Sequence, residues 1–485
     1  MFSNVPWGYF LGAIPTFARV LGYYLATVAV LCAVGAAIFH GMLRLGAGAP
    51  ACLTMPALVT IRPILFQPFM VNAGLLLSAA LVCWHVYARQ NSPLILGTGC
   101  VLAFLSYLVR IHEFLLVPLV ALPLMPYRPL WRKPVARGAL ALLIRAIAMA
   151  AIFDARKYQR KELEPFNQLN SARAAFTDFG ANEELKQHPD ILERHGFSIN
   201  DVELVSTWFF VDTSIAGPNL LRSMLSELGV LPAGSNSWAN AWLTLKALWL
   251  PEIRPLLAVA LILALLRPGY GIAASWLLFL AAIIIMGVLG RPGILRVYVP
   301  PISLLAVAPF LGDKAFRPLR PLAGLLLATA ATIDGAAAIE NSKNFELAAI
   351  EDRRKFAAFP TKPVVIWGAS FPFERICSVL GASPAAMTYS LYGLGVSTWA
   401  PFSVAFAEQK RQRGVVDRLR HSTGMPFLAN EMEYVFSGKY CSDHYGGSLK
   451  EVSALTLVDQ RISWRKCSEK NAIPLSNLPI KKYEN

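Results

Sequence analysis

Acidic residues are scarce in most of this chain. None occurs in residues 1–112, and outside two polar blocks, residues 154–247 and 340–485, only four of the chain's 30 aspartates and glutamates remain. Charged residues of either sign make up 15% of the 485 positions, against about 25% in a typical soluble domain. An ordinary soluble enzyme is therefore excluded. The sequence also has no phosphate-binding loop, no dinucleotide fingerprint and no paired Cys-x-x-Cys spacing, which removes the common nucleotide and structural zinc sites.

What fills the chain instead is apolar. Hydrophobic residues account for 55% of it and the mean hydropathy is +0.48, so disorder and fibrous structure are excluded and a bilayer is the expected solvent for much of the chain. Ten apolar runs follow one another at residues 23–43, 51–61, 71–87, 94–108, 114–126, 138–153, 256–266, 272–289, 297–311 and 322–338. The second is short and contains Pro56, and the sixth is interrupted by Arg145. The fold class expected is an α-helical polytopic membrane protein with about ten transmembrane helices. A mainly helical periplasmic insertion and a small α+β C-terminal periplasmic domain complete it. The expected divisions are residues 1–153 and 248–339 for the membrane helices, 154–247 for the insertion and 340–485 for the C-terminal domain.

The net charge of +15 does not describe a nucleic-acid-binding face. The first polar block has 9 Lys and Arg against 12 acids and the second 19 against 14, which leaves 17 basic residues between the apolar runs. Basic residues in short loops face the cytoplasm in membrane proteins. The loop with Arg128, Arg132, Lys133 and Arg137, and the loop with Lys314, Arg317 and Arg320, are therefore expected inside. Counting crossings puts Arg44, Arg89 and Arg267 inside too, both polar blocks outside, and residues 1 to about 20 outside. Since no cleavable signal precedes that outward start, two alternatives are open: an earlier helix upstream of Met1, or entry of residues 1–19 into the membrane.

Six arginines remain at outward helix ends or short outward loops: Arg19, Arg62, Arg110, Arg254, Arg291 and Arg296. A guanidinium grips phosphate in a two-pronged geometry and is weakly hydrated, which suits a lipid-linked phosphate or pyrophosphate. Snorkelling to lipid headgroups is the plainer role for any one of them. Arg110, Arg291, Arg296 and the neighbouring Tyr298 are the candidate phosphate-binding set. Arg110, His112 and Glu113 put three ionisable groups at one membrane edge, where charge is expensive. Glu113 is a candidate general base or metal ligand, and an Arg110–Glu113 ion pair within a helical hairpin is the structural alternative. A lone Arg145 in mid-helix is expected to pair with a polar group on a neighbour, Asp334 being the candidate.

In the first polar block, Val205, Trp208 and Phe209 share a face at helical spacing, the mark of a packed core. Asp201, Glu203 and Asp212 form its densest acidic group, and Asp212 is the second catalytic candidate. In the second block, residues 363–368 and 455–463 read as strands. Of the seven cysteines, Cys377, Cys441 and Cys467 lie there, and in an oxidising compartment Cys441 with Cys467 is the expected disulfide.

Several of these features together resemble a known family. They are the aromatic-rich start Phe2-Ser3-Asn4-Val5-Pro6-Trp7-Gly8-Tyr9-Phe10, the Arg110 to Glu113 hairpin, Trp208-Phe209-Phe210-Val211-Asp212 in an outer block, and Arg296-Val297-Tyr298-Val299-Pro300 opening a late helix. The pattern is similar to bacterial multi-pass glycosyltransferases of the C-type superfamily, in particular members related to O-antigen glucosyl transferases. The resemblance implies an inner-membrane protein that moves a sugar from a polyprenyl-phosphate donor in cell-surface polysaccharide synthesis. It also implies an acidic pair in the first outer loop, which this sequence lacks. An intact ancestor would take its acceptor-activating acid from that loop, with Arg110 and Arg296 on the donor phosphate and Glu113 assisting, and the chain as it stands would be truncated and inactive. No cofactor is identified by the residues, a divalent cation being the one candidate, and the expected partners are membrane lipids and the lipid-linked donor.

Two other classes compete. A transporter or flippase of lipid-linked sugars would use the same arginines without bond making, but no internal repeat is visible and the two polar blocks are large for that class. A non-catalytic membrane protein accounts for everything except the outward arginines.

Overall fold

The structure, a computed structural model, describes residues 4–15, 22–65, 69–229, 237–289, 295–312, 320–376 and 389–468; of residues 69, 70, 112, 113, 237 and 295 it describes the backbone alone. The chain begins with helices α1 (Val5–Ala13), α2 (Gly22–Leu45), α3 (Ala49–Leu65), α4 (Phe69–Gln90), α5 (Pro93–Val109), α6 (Ile111–Ala121), α7 (Tyr127–Arg132) and α8 (Pro134–Tyr158). The first polar block forms α9 (Glu164–Asp178), α10 (Ala181–Gln187), α11 (Pro189–Arg194), α12 (Ile199–Ser206), α13 (Thr213–Ala216) and α14 (Pro218–Leu228). Then come α15 (Ser237–Ala247), α16 (Arg254–Leu266), α17 (Tyr270–Val288), α18 (Leu295–Leu311) and α19 (Arg320–Lys355). The last part holds β1 (Val364–Ile366), α20 (Phe373–Ile376), β2 (Leu391–Gly393), α21 (Val404–Lys410), α22 (Val415–Leu419), β3 (Met425–Leu428), α23 (Glu431–Tyr445), β4 (Ser448–Thr456) and β5 (Arg461–Ser468).

Each of the ten apolar runs is helical. Among the described residues, five helices are long and apolar enough to cross a membrane: Gly22–Leu45, Val71–Gln90, Pro134–Tyr158, Tyr270–Val288 and Arg320–Lys355. The other apolar helices are 10–17 residues long. Pro56 does not break its run, since α3 continues through Pro56 and Pro63, and the Thr60 hydroxyl donates to the Pro56 carbonyl at 2.8 Å.

The chain divides into two compact units. The first takes residues 1–159, 232–349 and 377–384. Its centre is α4, whose residues between Val71 and Tyr87 are almost all buried. Two glycines set its neighbours: a Cβ on Gly41 of α2 would lie 2.2 Å from Val82 of α4, and one on Gly74 of α4 would lie 2.3 Å from Pro300 of α18. Only glycine permits these backbone approaches.

The second unit takes residues 160–231, 350–376 and 385–485. The two polar blocks, treated separately in the sequence reading, share one hydrophobic core: Phe176, Leu204, Phe209 and Phe210 from the first pack with Val365, Trp367, Tyr392 and Tyr440 from the second. Its five-stranded sheet has the order β2-β1-β3-β5-β4. β1 runs parallel to β2 and β3, while β5 is antiparallel to β3 and β4. Three expected boundaries shift. α8 runs past residue 153 to Tyr158, α15 belongs to the first unit, and the division at residue 340 falls inside α19. The expected strand at 455–463 takes in the end of β4, the turn at 457–460 and the start of β5, the turn being closed by Leu457 N–H donating to the Gln460 carbonyl at 2.8 Å.

Capping explains several helix starts. Ser198 with Asp201 and Asn430 with Glu433 form complete capping boxes on α12 and α23, which satisfy backbone donors that would otherwise be stranded. Gly446 ends α23 at φ 62°, the left-handed conformation glycine adopts without strain. The expected Cys441–Cys467 disulfide is present and ties α23 to β5. A thiol-reactive polyethylene glycol should therefore add to two more cysteines after reduction than before. Replacing both cysteines by serine should cost the second unit about 3 kcal/mol, the loop-closure value for a bridge of this separation, read as earlier proteolysis on a thermal ramp.

Candidate functional site

In the first unit, the helix ends divide into two sets. At one end, positive side chains cap helix C-termini. Arg89 donates to the carbonyls of Leu311 (3.1 Å), Gly312 and Leu45 (3.4 Å), and Arg267 to that of Pro309. Gln90 adds a 3.3 Å bond to the Arg44 carbonyl. Cations at helix C-termini satisfy carbonyls that have no partner within the helix and complement the dipole.

At the opposite end, α5 and α6 meet at Arg110, whose backbone is extended (φ −166°, ψ 122°) and serves as C-cap of one helix and N-cap of the other. Asn4 holds the end of α5, its N–H donating to the Leu108 carbonyl at 3.0 Å and its side-chain amide to that of Tyr107 at 2.9 Å. Just beyond it, the Asp154 carboxylate accepts the Val5 N–H at 2.6 Å and so caps the positive end of α1. α18 packs against α6 and α4. At its start Arg296 is exposed and Tyr298 is buried.

The remaining candidates separate. Arg62 is bound to Asp334, Nε to Oδ1 at 2.5 Å, and joins α3 to α19. That corrects the expected Arg145–Asp334 pair, because Arg145 lies on the exposed side of α8. Arg254 stacks over Trp249 and donates to its carbonyl at 3.1 Å. Arg19 and Arg291 lie outside the described residues, as does the side chain of Glu113. The structure therefore brings Arg110 and Arg296 to one end of the bundle on elements that pack together.

In the second unit the three acids have structural partners. Glu203 accepts from Lys186 at 2.6 Å. Asp212 caps α13 through the Ser214 N–H at 2.8 Å and accepts from the Tyr440 hydroxyl at 2.5 Å. Asp201, 1% exposed, completes the α12 capping box and meets His444 Nε2 at 2.8 Å. The helix ends at Ser206, and Trp208 beyond it adopts φ 75°. Phe209 is accordingly buried with Val205, while Trp208 carries the Arg173 guanidinium 4.8 Å over its ring.

The hydrogen bond to Asp201 raises the His444 imidazole above its ordinary pKa. Burial, reinforced by Asp212 beside it, pushes the Tyr440 phenol far up, so it remains a donor to that carboxylate. Sequence reasoning missed His444 and Tyr440 because they sit 243 and 228 residues from their partners, and no local spacing reports a contact of that range. Among the described residues no group of three His, Cys, Asp or Glu side chains is placed to hold a metal ion. Compared with protein-family models, with curated proteins and with solved structures, the chain gives no match.

Two outcomes follow. Asp334→Leu leaves the Arg62 cation without its carboxylate in a buried setting and should destabilise the first unit by about 3–5 kcal/mol. The double variant Arg62→Leu/Asp334→Leu should be less damaging than that single change, as read from thermal unfolding in detergent. The second concerns pH. Because the folded imidazole of His444 binds its proton more tightly than an unfolded one, its contribution is full below the unfolded pKa of about 6.5 and fades as pH rises through the folded pKa. Proteolytic resistance of the second unit should decline across that window, and His444→Gln should flatten this part of the profile.

Proposed function

We propose that the chain is an integral membrane protein of about ten crossings, with both polar blocks outside the cytoplasm, that binds a polyprenyl-phosphate-linked sugar at the outer end of its helix bundle. This is the donor half of the reaction of the bacterial C-type glycosyltransferases it resembles. One observation carries the reading: Arg110 at the extended α5–α6 break and exposed Arg296 at the start of α18 share one end of the bundle, on elements that pack together.

Two guanidiniums at a membrane edge can each offer a pair of parallel N–H donors to one phosphate. Arg89 and Arg267, at the other end, already hold helix carbonyls. Glu113, three residues beyond Arg110, is the candidate assisting acid. Orientation is supported twice. Arg128, Arg132, Lys133 and Arg137 form a basic loop of the kind kept in the cytoplasm, and the Cys441–Cys467 bridge of the second unit suits an oxidising compartment. The 10–17-residue apolar helices can cross where the bilayer thins around them or where neighbouring helices cover their ends.

Purified protein in detergent should bind a labelled polyprenyl-phosphate sugar. Arg110→Ala and Arg296→Ala should each weaken binding about 10-fold or more, the worth of a charge-assisted hydrogen bond, and unchanged binding in both would refute the shared-phosphate site. Orientation has its own measurement. Ser422→Cys and Arg132→Cys should react with a membrane-impermeant thiol reagent from opposite faces of the membrane, and labelling from the same face would overturn the topology.

A further inference from the structure

On α8, Ala136, Leu143 and Ala150 recur every seven residues and are buried in the first unit's core. The other side of the helix is uncovered: Leu142, Ile144, Met149 and Ile152 are 54–71% exposed. In the middle of that apolar side sits Arg145, also exposed. Among the described residues it has no hydrogen bond, ion pair or aromatic partner. Seven residues separate it from Gly138 and eight from Phe153, the limits of the apolar stretch, so each end lies about 10–12 Å away along the axis. An arginine side chain reaches only part of that distance.

On the membrane reading, on which this inference rests, Arg145 holds a guanidinium at mid-depth in hydrocarbon. This is among the costliest placements a side chain can have, and residues so placed are normally paired with a counter-charge. Three occupants of this face can be weighed. Lipid offers no anion at that depth, because its phosphates lie at the interface. A second copy packed α8 to α8 would oppose two Arg145 cations, and Asp334, the acid within the apolar run 322–338, is already bound to Arg62. A helix from another protein with a carboxylate at mid-span meets the requirement. The exposed residues next to Arg145 on this side, Gly138, Ala141 and Ala148, are small, which lets another helix approach closely.

We propose that the exposed side of α8 docks a transmembrane helix of another protein through an Asp or Glu that pairs with Arg145. The test uses the full chain with a photo-crosslinking amino acid in place of Leu142, reconstituted in phosphatidylethanolamine and phosphatidylglycerol vesicles. The probes are synthetic single-span Leu/Ala helices carrying Glu, Gln or Leu at the centre. The Glu helix should crosslink at least about 5-fold more than the other two, within the range of interhelical polar contacts. The excess should vanish in Arg145→Leu and survive in Arg145→Lys. Because Arg145 has no partner among the described residues, Arg145→Leu should retain the fold, checked by its thermal unfolding. Equal capture of all three helices, a Glu-helix signal that persists in Arg145→Leu, or crosslinking between copies of the chain would each overturn the proposal. The failures are distinguishable: a protein that does not float with the vesicles overturns the membrane reading and the docking with it, whereas a floating protein that ignores the Glu helix overturns the docking alone.

Discussion

Where water is scarce, a cation must find an acceptor within the structure, and the first unit is arranged around that requirement. With only four acidic residues outside the polar blocks, carboxylates cannot serve most of its arginines. Backbone carbonyls serve Arg89, Arg254 and Arg267. Helix C-termini strand several carbonyls each, and Arg89 and Arg267 occupy those of α2 and α18. The same contacts fix which helix ends lie side by side. Arg62 uses an acid, and its partner Asp334 ties α3 to α19, 272 residues away in sequence.

In the second unit the stranded groups are main-chain carbonyls, and neutral donors meet them. The segment after α12 leaves the helix through the left-handed backbone of Trp208, which exposes main-chain carbonyls. Indole groups from the C-terminal block take them: Trp367 donates to the Thr207 carbonyl at 2.6 Å and Trp399 to that of Phe210 at 2.5 Å. Asn200 returns a bond to the Phe436 carbonyl at 3.1 Å. Two blocks with residues 248–339 between them thereby complete one core. At its centre Phe209 packs directly on Trp367 and Tyr440.

Features that depend on local spacing were legible from the sequence, and those that depend on pairing at a distance were not. The ten apolar runs become helices because runs of that composition have no better way to satisfy their backbone in an apolar setting. β1 and the Cys441–Cys467 bridge were readable for similar reasons, one from a β-branched run after proline, the other from three cysteines in a single block. Helix ends were not, since α3 carries Pro56 and Pro63 inside it where a proline usually marks a break. The partner of Asp334 was assigned to the wrong arginine, because a sequence records that Arg145 lies within an apolar run but not which side of its helix it occupies. For the candidate site, the crossing count already set Arg110 and Arg296 at the same end, but the packing of α18 against α6 and α4 was not legible.

The position of Arg110 in turn depends on residues that carry no obvious chemistry. An extended residue between two apolar helices leaves the last carbonyls of α5 without intrahelical donors, and such a break persists only if other groups satisfy them. Asn4 does so, with its main chain and its side chain. Asn4 is positioned because it precedes α1, whose first N–H is held by Asp154 near the end of α8. The geometry at Arg110 is thus set by a relay from α8 through α1 to α5. On this account residues 4–13 are a structural brace for the α5–α6 break, and their bearing on the proposed phosphate site is indirect, through the angle at which they hold that arginine.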